Sequence, residues 1–244
     1  MTDRDHRPAF YAANRGGWRD WWTLLHPPYT AWHLAYVVIG ASLAPHVDVT
    51  RLLATVLAFF AAVGVAAHAL DELHGRPLRT TIPTGALNAA AGIGLGVAVG
   101  IGVVGVDRIG AALIPFIVVG PILVLGYNLE LLGGRLHTDV GFALAWGTFP
   151  LLTGYVAQTG NVSFAAVLAS IGAFAVSYTQ RTLSTPARMI RRRAQRIDGS
   201  IVLDDGSVEP LTERTLLAPL ERSLRALSWA MVTFAAAFAV ARLT

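Results

Sequence analysis

The stretch HALDELHGRPLRT, residues 68–80, sets His68, Asp71, Glu72, His74, Arg76 and Arg79 within thirteen positions. On a helix, His68, Asp71 and Glu72 stand at i, i+3 and i+4 and leave from one face, with His74 just beyond. A second polar group, YNLELLGGRLHTD, holds Tyr127, Glu130, Arg135, His137 and Asp139. Carboxylate oxygens with water suit Mg or Mn, and added imidazoles move the preference toward Mn, Fe or Zn. The expected metal ligands are therefore His68, Asp71, Glu72, His74, Glu130, His137 and Asp139, around a divalent metal whose identity the ligand types leave open. The plainer alternative is a pair of helix ends neutralised by their own arginines.

The two groups resemble each other. ELHGRPLRT and ELLGGRLHT share Glu-Leu, Gly, Arg, Leu and Thr once a one-residue shift is allowed, which suggests a parallel repeat whose two polar ends face one cavity. Two other histidines are weaker candidates: His26 precedes a Pro-Pro pair, and His33 stands one turn into an apolar run. His6 and His46 read as solvated. No HExxH, no paired-His desaturase pattern and no Ser nucleophile motif occurs.

These side chains must be positioned by elements suited to a bilayer. The 244-residue chain is 54% hydrophobic and only 14% charged, against roughly a quarter charged in soluble domains. It has no Cys, which excludes disulfides, iron–sulfur clusters and thiolate zinc sites. All 19 basic residues are Arg, so Schiff-base chemistry on Lys is excluded as well. The arginines flank apolar runs, which points to anionic headgroups and not to nucleic acid. Seven spans of about 20 residues are expected, at 30–46, 50–70, 85–106, 109–128, 139–158, 162–181 and 223–243. They do not alternate as barrel strands do. The predicted fold class is an all-α polytopic membrane bundle, residues 1–244 forming one transmembrane domain. Arginine is concentrated on the N-terminal side of this arrangement, so the N-terminus is expected in the cytoplasm and the C-terminus outside a prokaryotic plasma membrane. The first span follows a polar stretch, and no cleavable signal peptide is visible.

Local signals add detail. Gly92, Gly96 and Gly100, beside a second stripe of Gly94, Ala98 and Gly102, predict close helix packing in lipid. Trp18, Trp21 and Trp22 suit the headgroup layer. Residues 184–222 read as a cytoplasmic loop: STPARMIRRRAQR predicts a new surface helix starting at a Ser/Thr cap and Pro, and IDGSIVLDDGSVEP a β-hairpin turning at Asp-Asp-Gly.

The order of these features resembles the UbiA superfamily of intramembrane prenyltransferases. LHPPYTAWHLAYVVIGASLAP is similar to that family's opening span, HALDELHGRPLRTTIPTGAL to its first aspartate-rich loop, and TDVGFALAWGTFPLLTGYVAQTGNVSFAAVLASIGAF to its fifth and sixth spans. The resemblance covers residues 20–185. It implies an isoprenoid diphosphate substrate with Mg on the carboxylates, an apolar tunnel for the chain, and catalytic roles for Asp71, Glu72, Arg76 and Tyr127. Three features depart from the family, one being a shortened first loop that lacks the later Asp. SYTQRTLSTPARMIRRR has no carboxylate where the second aspartate motif belongs, and the helices end after span seven, two short of nine.

The expectation is thus a metal-dependent, UbiA-like membrane enzyme acting on an isoprenoid or other lipid substrate at the cytoplasmic face, with prenyl transfer as the inherited reaction. The alternative is a non-catalytic relative that binds a lipid or a partner membrane protein, with Arg188 to Arg196 gripping headgroups. Transport is the least favoured reading, because the polar groups cluster at one face and not at the midplane.

Overall fold

A computed structural model describes residues 8–244; Arg4, His6 and Arg7 lie outside the described residues. The described residues form eight helices: α1 Trp18–Leu24, α2 Pro27–Ser42, α3 Val49–Leu73, α4 Thr84–Ile109, α5 Ala111–Asn128, α6 Asp139–Thr159, α7 Phe164–Arg193 and α8 Glu213–Leu243. Five of them, α3, α4, α5, α6 and α8, are long and apolar enough to cross a membrane. The protein is an all-α bundle of membrane type. Helix α2 is shorter, and α7 joins an apolar half to an arginine-rich one.

Helix starts follow short-range chemistry. Asp48, Thr138 and Ser163 each accept a hydrogen bond from a backbone N–H three residues on, at 3.0, 3.0 and 3.2 Å. Pro27 and Pro28 open α2, where a missing N–H costs nothing. The residue before them, His26, has φ 46°, a left-handed conformation outside the extended region that a following proline favours. At the opposite end of the bundle, Arg51 donates to Gln158 O and Arg108 O at 2.9 and 3.0 Å. One guanidinium thereby satisfies the carbonyl ends of two helices.

Helix α2 is the centre of the bundle. Trp32, Tyr36 and Val37 are fully buried, and Trp32 Nε1 and Ser177 Oγ both donate to the Tyr36 hydroxyl at 2.9 Å. Gly40 lies against Leu151 O and Gly154 against Val37 O so closely that a Cβ on either glycine would overlap backbone. Small residues allow this approach of α2 and α6.

The glycine stripe of α4 behaves differently from expectation. Gly92, Gly96 and Gly100 meet nothing, while the adjacent Gly94 and Gly102 carry the packing, against Ala61 O and the Ile117 side chain. The expected helix start at Ser184–Pro186 is also absent: α7 runs unbroken through Pro186 to Arg193. Proline removes one hydrogen bond there. Packing of Ala187 and Ile190 on Leu217, with Arg191 on Glu221, carries the helix on past it. The hairpin does form, with β1 Ser200–Val202 pairing antiparallel to β2 Val208–Pro210. Helix α8 then starts ten residues before the expected span, at a capping box between Thr212 and Thr215.

Candidate functional site

Two π-helical stretches shape the interior, Phe60–Ala67 within α3 and Leu144–Thr148 within α6. Such stretches release carbonyls from the regular ladder. His33 donates Nδ1–H to Trp146 O at 2.8 Å and His68 donates Nδ1–H to Gly64 O at 3.1 Å. A carbonyl can only accept, so each imidazole carries its proton on Nδ1 and, when neutral, offers a lone pair at Nε2. His137 is fixed in the same way by Tyr127 O at 3.1 Å.

These rings border a cavity of about 110 Å³ where α2, α3, α5, α6, α7 and α8 meet the N-terminal segment. Its wall includes His26, His33, His68, Asp71, Tyr127 and His137. Gln180, Arg181, Arg188, Arg191 and Arg192 come from α7, and Glu221 from α8. His26 stacks on His68 with centroids 4.1 Å apart, and Tyr127 on His137 at 4.4 Å. The Tyr11 hydroxyl and His26 Nδ1 share a hydrogen bond of 2.8 Å. Burial pushes His26 well below the usual imidazole value, and the charges of Arg192 and Arg188 add to that. It holds the Tyr11 phenol above its ordinary value for the same reason. The N-terminal segment is held over the cavity by Arg192 Nε donating to Pro8 O at 3.2 Å and by Arg225 stacked on Phe10 at 4.7 Å.

The cavity is electropositive. Four arginines line it against two carboxylates. Glu221 is taken by Arg191 through both of its oxygens, the Nη2–Oε2 contact being 2.9 Å. Arg181 is held by Asp139 at 3.2 Å from outside the cavity. Arg188 and Arg192 thus face only Asp71 among the wall's acidic groups.

The expected site residues divide. His68, Asp71, Tyr127 and His137 do line one cavity. Glu72 does not: it is fully buried beside the following loop and accepts from Leu78 N, Thr80 N and Thr80 Oγ1 at 2.9, 2.8 and 2.9 Å. Arg76 is likewise a loop anchor, donating to Ile82 O and Thr84 Oγ1 at 2.7 and 3.0 Å. His74 is exposed. Glu130 is half exposed and 3.8 Å from His137, and Asp139 is engaged by Arg181. The two helix tips therefore do different work, and Glu72 and Glu130 share no pocket.

Among the described residues no three His, Asp or Glu side chains come together in a metal-holding arrangement. A divalent cation in the cavity would find one unengaged carboxylate amid guanidiniums, so the donor set does not fit Mg; it fits an anion.

Beside this polar cavity lies an apolar one of about 600 Å³ between α3, α4, α5 and α6. Ala54, Ala58 and Ala62 on one face of α3 and Gly100, Gly102 and Gly105 on α4 leave the room. It reaches from Thr50 to Val63, about 20 Å of helical rise. Val63 and Trp146 belong to both walls, so the two cavities adjoin. No family model, no curated protein and no solved structure matches the chain.

Proposed function

We propose that this is an integral membrane protein that binds an anionic lipid. The phosphate oxygens meet Arg188 and Arg192, and the hydrocarbon chain lies in the apolar cavity. The observation that carries the reading is the wall of Val63 and Trp146 common to a basic cavity and an apolar one. A guanidinium in low dielectric is a strong partner for phosphate. A chain of about 20 Å seated between helices is removed from competition with bulk lipid.

The resemblance to the UbiA superfamily adds the seven-span topology, the cytoplasmic N-terminus and an isoprenoid as the chain to try first. Seven spans are compatible with α2 and α7 crossing beside the five more apolar helices, and reporter fusions at both termini test the orientation. Prenyl transfer is a second reading, favoured by a chain cavity of isoprenoid length. It is separated from simple binding by whether the protein releases diphosphate from a prenyl diphosphate.

The binding reading is tested by extracting the protein from membranes and identifying bound lipid by native mass spectrometry. Anionic lipid is expected to co-purify, and to be lost in the Arg188→Ala, Arg192→Ala double variant. Lipid content unchanged in that variant, or zwitterionic lipid retained equally well, counts against it.

A further inference from the structure

An anion alone does not satisfy this cavity. Among the described residues, three buried side-chain atoms have no hydrogen-bond partner: His26 Nε2, the Tyr127 hydroxyl and Gln180 Oε1. All three residues line this one cavity. Tyr127 is 5% exposed and Gln180 2%, so neither orphan is served by bulk water. Buried polar atoms are nearly always partnered, and all three orphans belong to residues of this one wall, which marks it as a place lacking partners.

Their chemistry, with that of their neighbours, specifies the partner. Arg188, Arg192 and the Tyr127 hydroxyl donate, and they suit phosphate oxygens. Asp71 and Gln180 Oε1 only accept, as does the Nε2 of neutral His68 once Gly64 O has taken its proton. Asp71 makes no hydrogen bond and no ion pair within 4 Å of a described residue, although it feels the charges of Arg192, Arg188 and His137. A fully ionised phosphate brought onto the guanidiniums would repel Asp71 and leave these acceptors empty. Turning the Gln180 amide would expose its NH₂ instead. An ionised carboxylate cannot turn a donor inward in this way, so Asp71 in its charged form carries the requirement.

We infer that the head group accepted here bears a hydroxyl donor beside its anionic oxygens, as a phosphopolyol lipid does, and that Asp71 and Gln180 receive that hydroxyl. The inference rests on the anionic-lipid reading above and narrows it. Guanidiniums of α7 hold the phosphate while α3 and the start of α7's basic half read the polyol. Lipids of equal charge are thereby separated by their hydroxyls.

The test compares phosphatidylglycerol with phosphatidylmethanol, two phosphodiester monoanions of which the second lacks the hydroxyls together with the two carbons that bear them. Both carry the same acyl chains and are titrated into the full chain in neutral detergent. Phosphatidylcholine and soluble glycerol 3-phosphate are run beside them, and binding is read from the intrinsic tryptophan signal and native mass spectrometry. Phosphatidylglycerol is expected to bind about tenfold more tightly than phosphatidylmethanol, a factor worth about 1.4 kcal/mol, as one hydrogen bond to a charged acceptor supplies. Phosphatidylcholine should be weakest and glycerol 3-phosphate should not bind. In Asp71→Asn the two anions should bind equally, because the variant removes the charged acceptor of the hydroxyl and relieves the same phosphate repulsion for both. Equal binding of the two anions, both above phosphatidylcholine, overturns the hydroxyl inference and leaves the anionic-lipid reading standing. Equal binding of all three lipids overturns both. Glycerol 3-phosphate matching phosphatidylglycerol overturns the lipid as the source of the head group. The decisive comparison uses wild-type protein, so it does not depend on a variant folding.

Discussion

Replacing Glu72 by Gln separates a loop anchor from a metal ligand. The carboxylate is fully buried and receives three hydrogen bonds, one at Oε2 from Leu78 N and two at Oε1 from Thr80 N and Oγ1. An amide keeps one oxygen, which can serve the Thr80 pair, but turns an NH₂ toward Leu78 N–H. That leaves a buried donor facing a donor, worth about 1–3 kcal/mol, and the other two bonds lose their charge assistance. A loss of about 3 kcal/mol is expected. At about 2–4 °C per kcal/mol for a chain of this size, the melting temperature should fall by about 6–12 °C. The effect spreads beyond the loop, because Thr81 donates to Asp20 of α1 through N and Oγ1 at 2.8 and 2.6 Å. Asp20 is held below the usual carboxylate value: burial raises it, and these bonds with one from Gly16 N outweigh burial. Melting is followed by tryptophan fluorescence in detergent, with elemental analysis of the same samples. A melting temperature within 1 °C of wild type, together with loss of a bound divalent metal, would refute the anchoring argument and restore Glu72 as a ligand.

Two further outcomes are expected. Gly154→Ala should prevent stable assembly, because its Cβ would enter the Val37 carbonyl, whereas Gly96→Ala, which meets nothing, should leave the yield of folded protein unchanged; size-exclusion profiles in detergent compare the two. His26 is neutral in the folded protein and its folded pKa lies well below the ordinary 6.5, so the folded state binds fewer protons than the unfolded below that value. Its contribution is complete above about pH 6.5 and is lost as pH falls through that value toward the folded pKa. The melting temperature should therefore fall as pH drops below about 6.5. His26→Asn, which tolerates the left-handed backbone at φ 46°, should flatten that part of the melting curve's pH dependence.

The helices were legible because a charge-poor chain of 20-residue apolar runs has few other solutions, and because caps such as Asp48, Thr138 and Ser163 are local chemistry. Pro186 misled for the same reason. Its local signal is a helix start, and only packing against Leu217 and the pairing of Arg191 with Glu221, thirty residues apart, overrides it. The site was half legible. His68 and Asp71 lie three residues apart and share the cavity, as helical spacing requires. Glu72, one residue further round, turns to the loop instead, because three donors wait there. The missed residues are Gln180, Arg181 and Tyr11, while Arg188 and Arg192 were expected on headgroups at the surface and not in a cavity wall. A signal for the arginines existed: positions 181, 188 and 192 repeat at seven and four, one face of a helix that continues an apolar run.

Reading that run as a new surface helix moved its charges out to the headgroups. Reading it as the continuation of α7 brings them inward, and the charge balance of the site reverses. Two polar helix tips facing each other would make an acidic, metal-binding centre. The same tips with a guanidinium face inserted between them make a basic one, in which a single carboxylate, Asp71, is left to recognise a donor. Continuity of one helix through a proline thus decides whether the cavity prefers a cation or an anion.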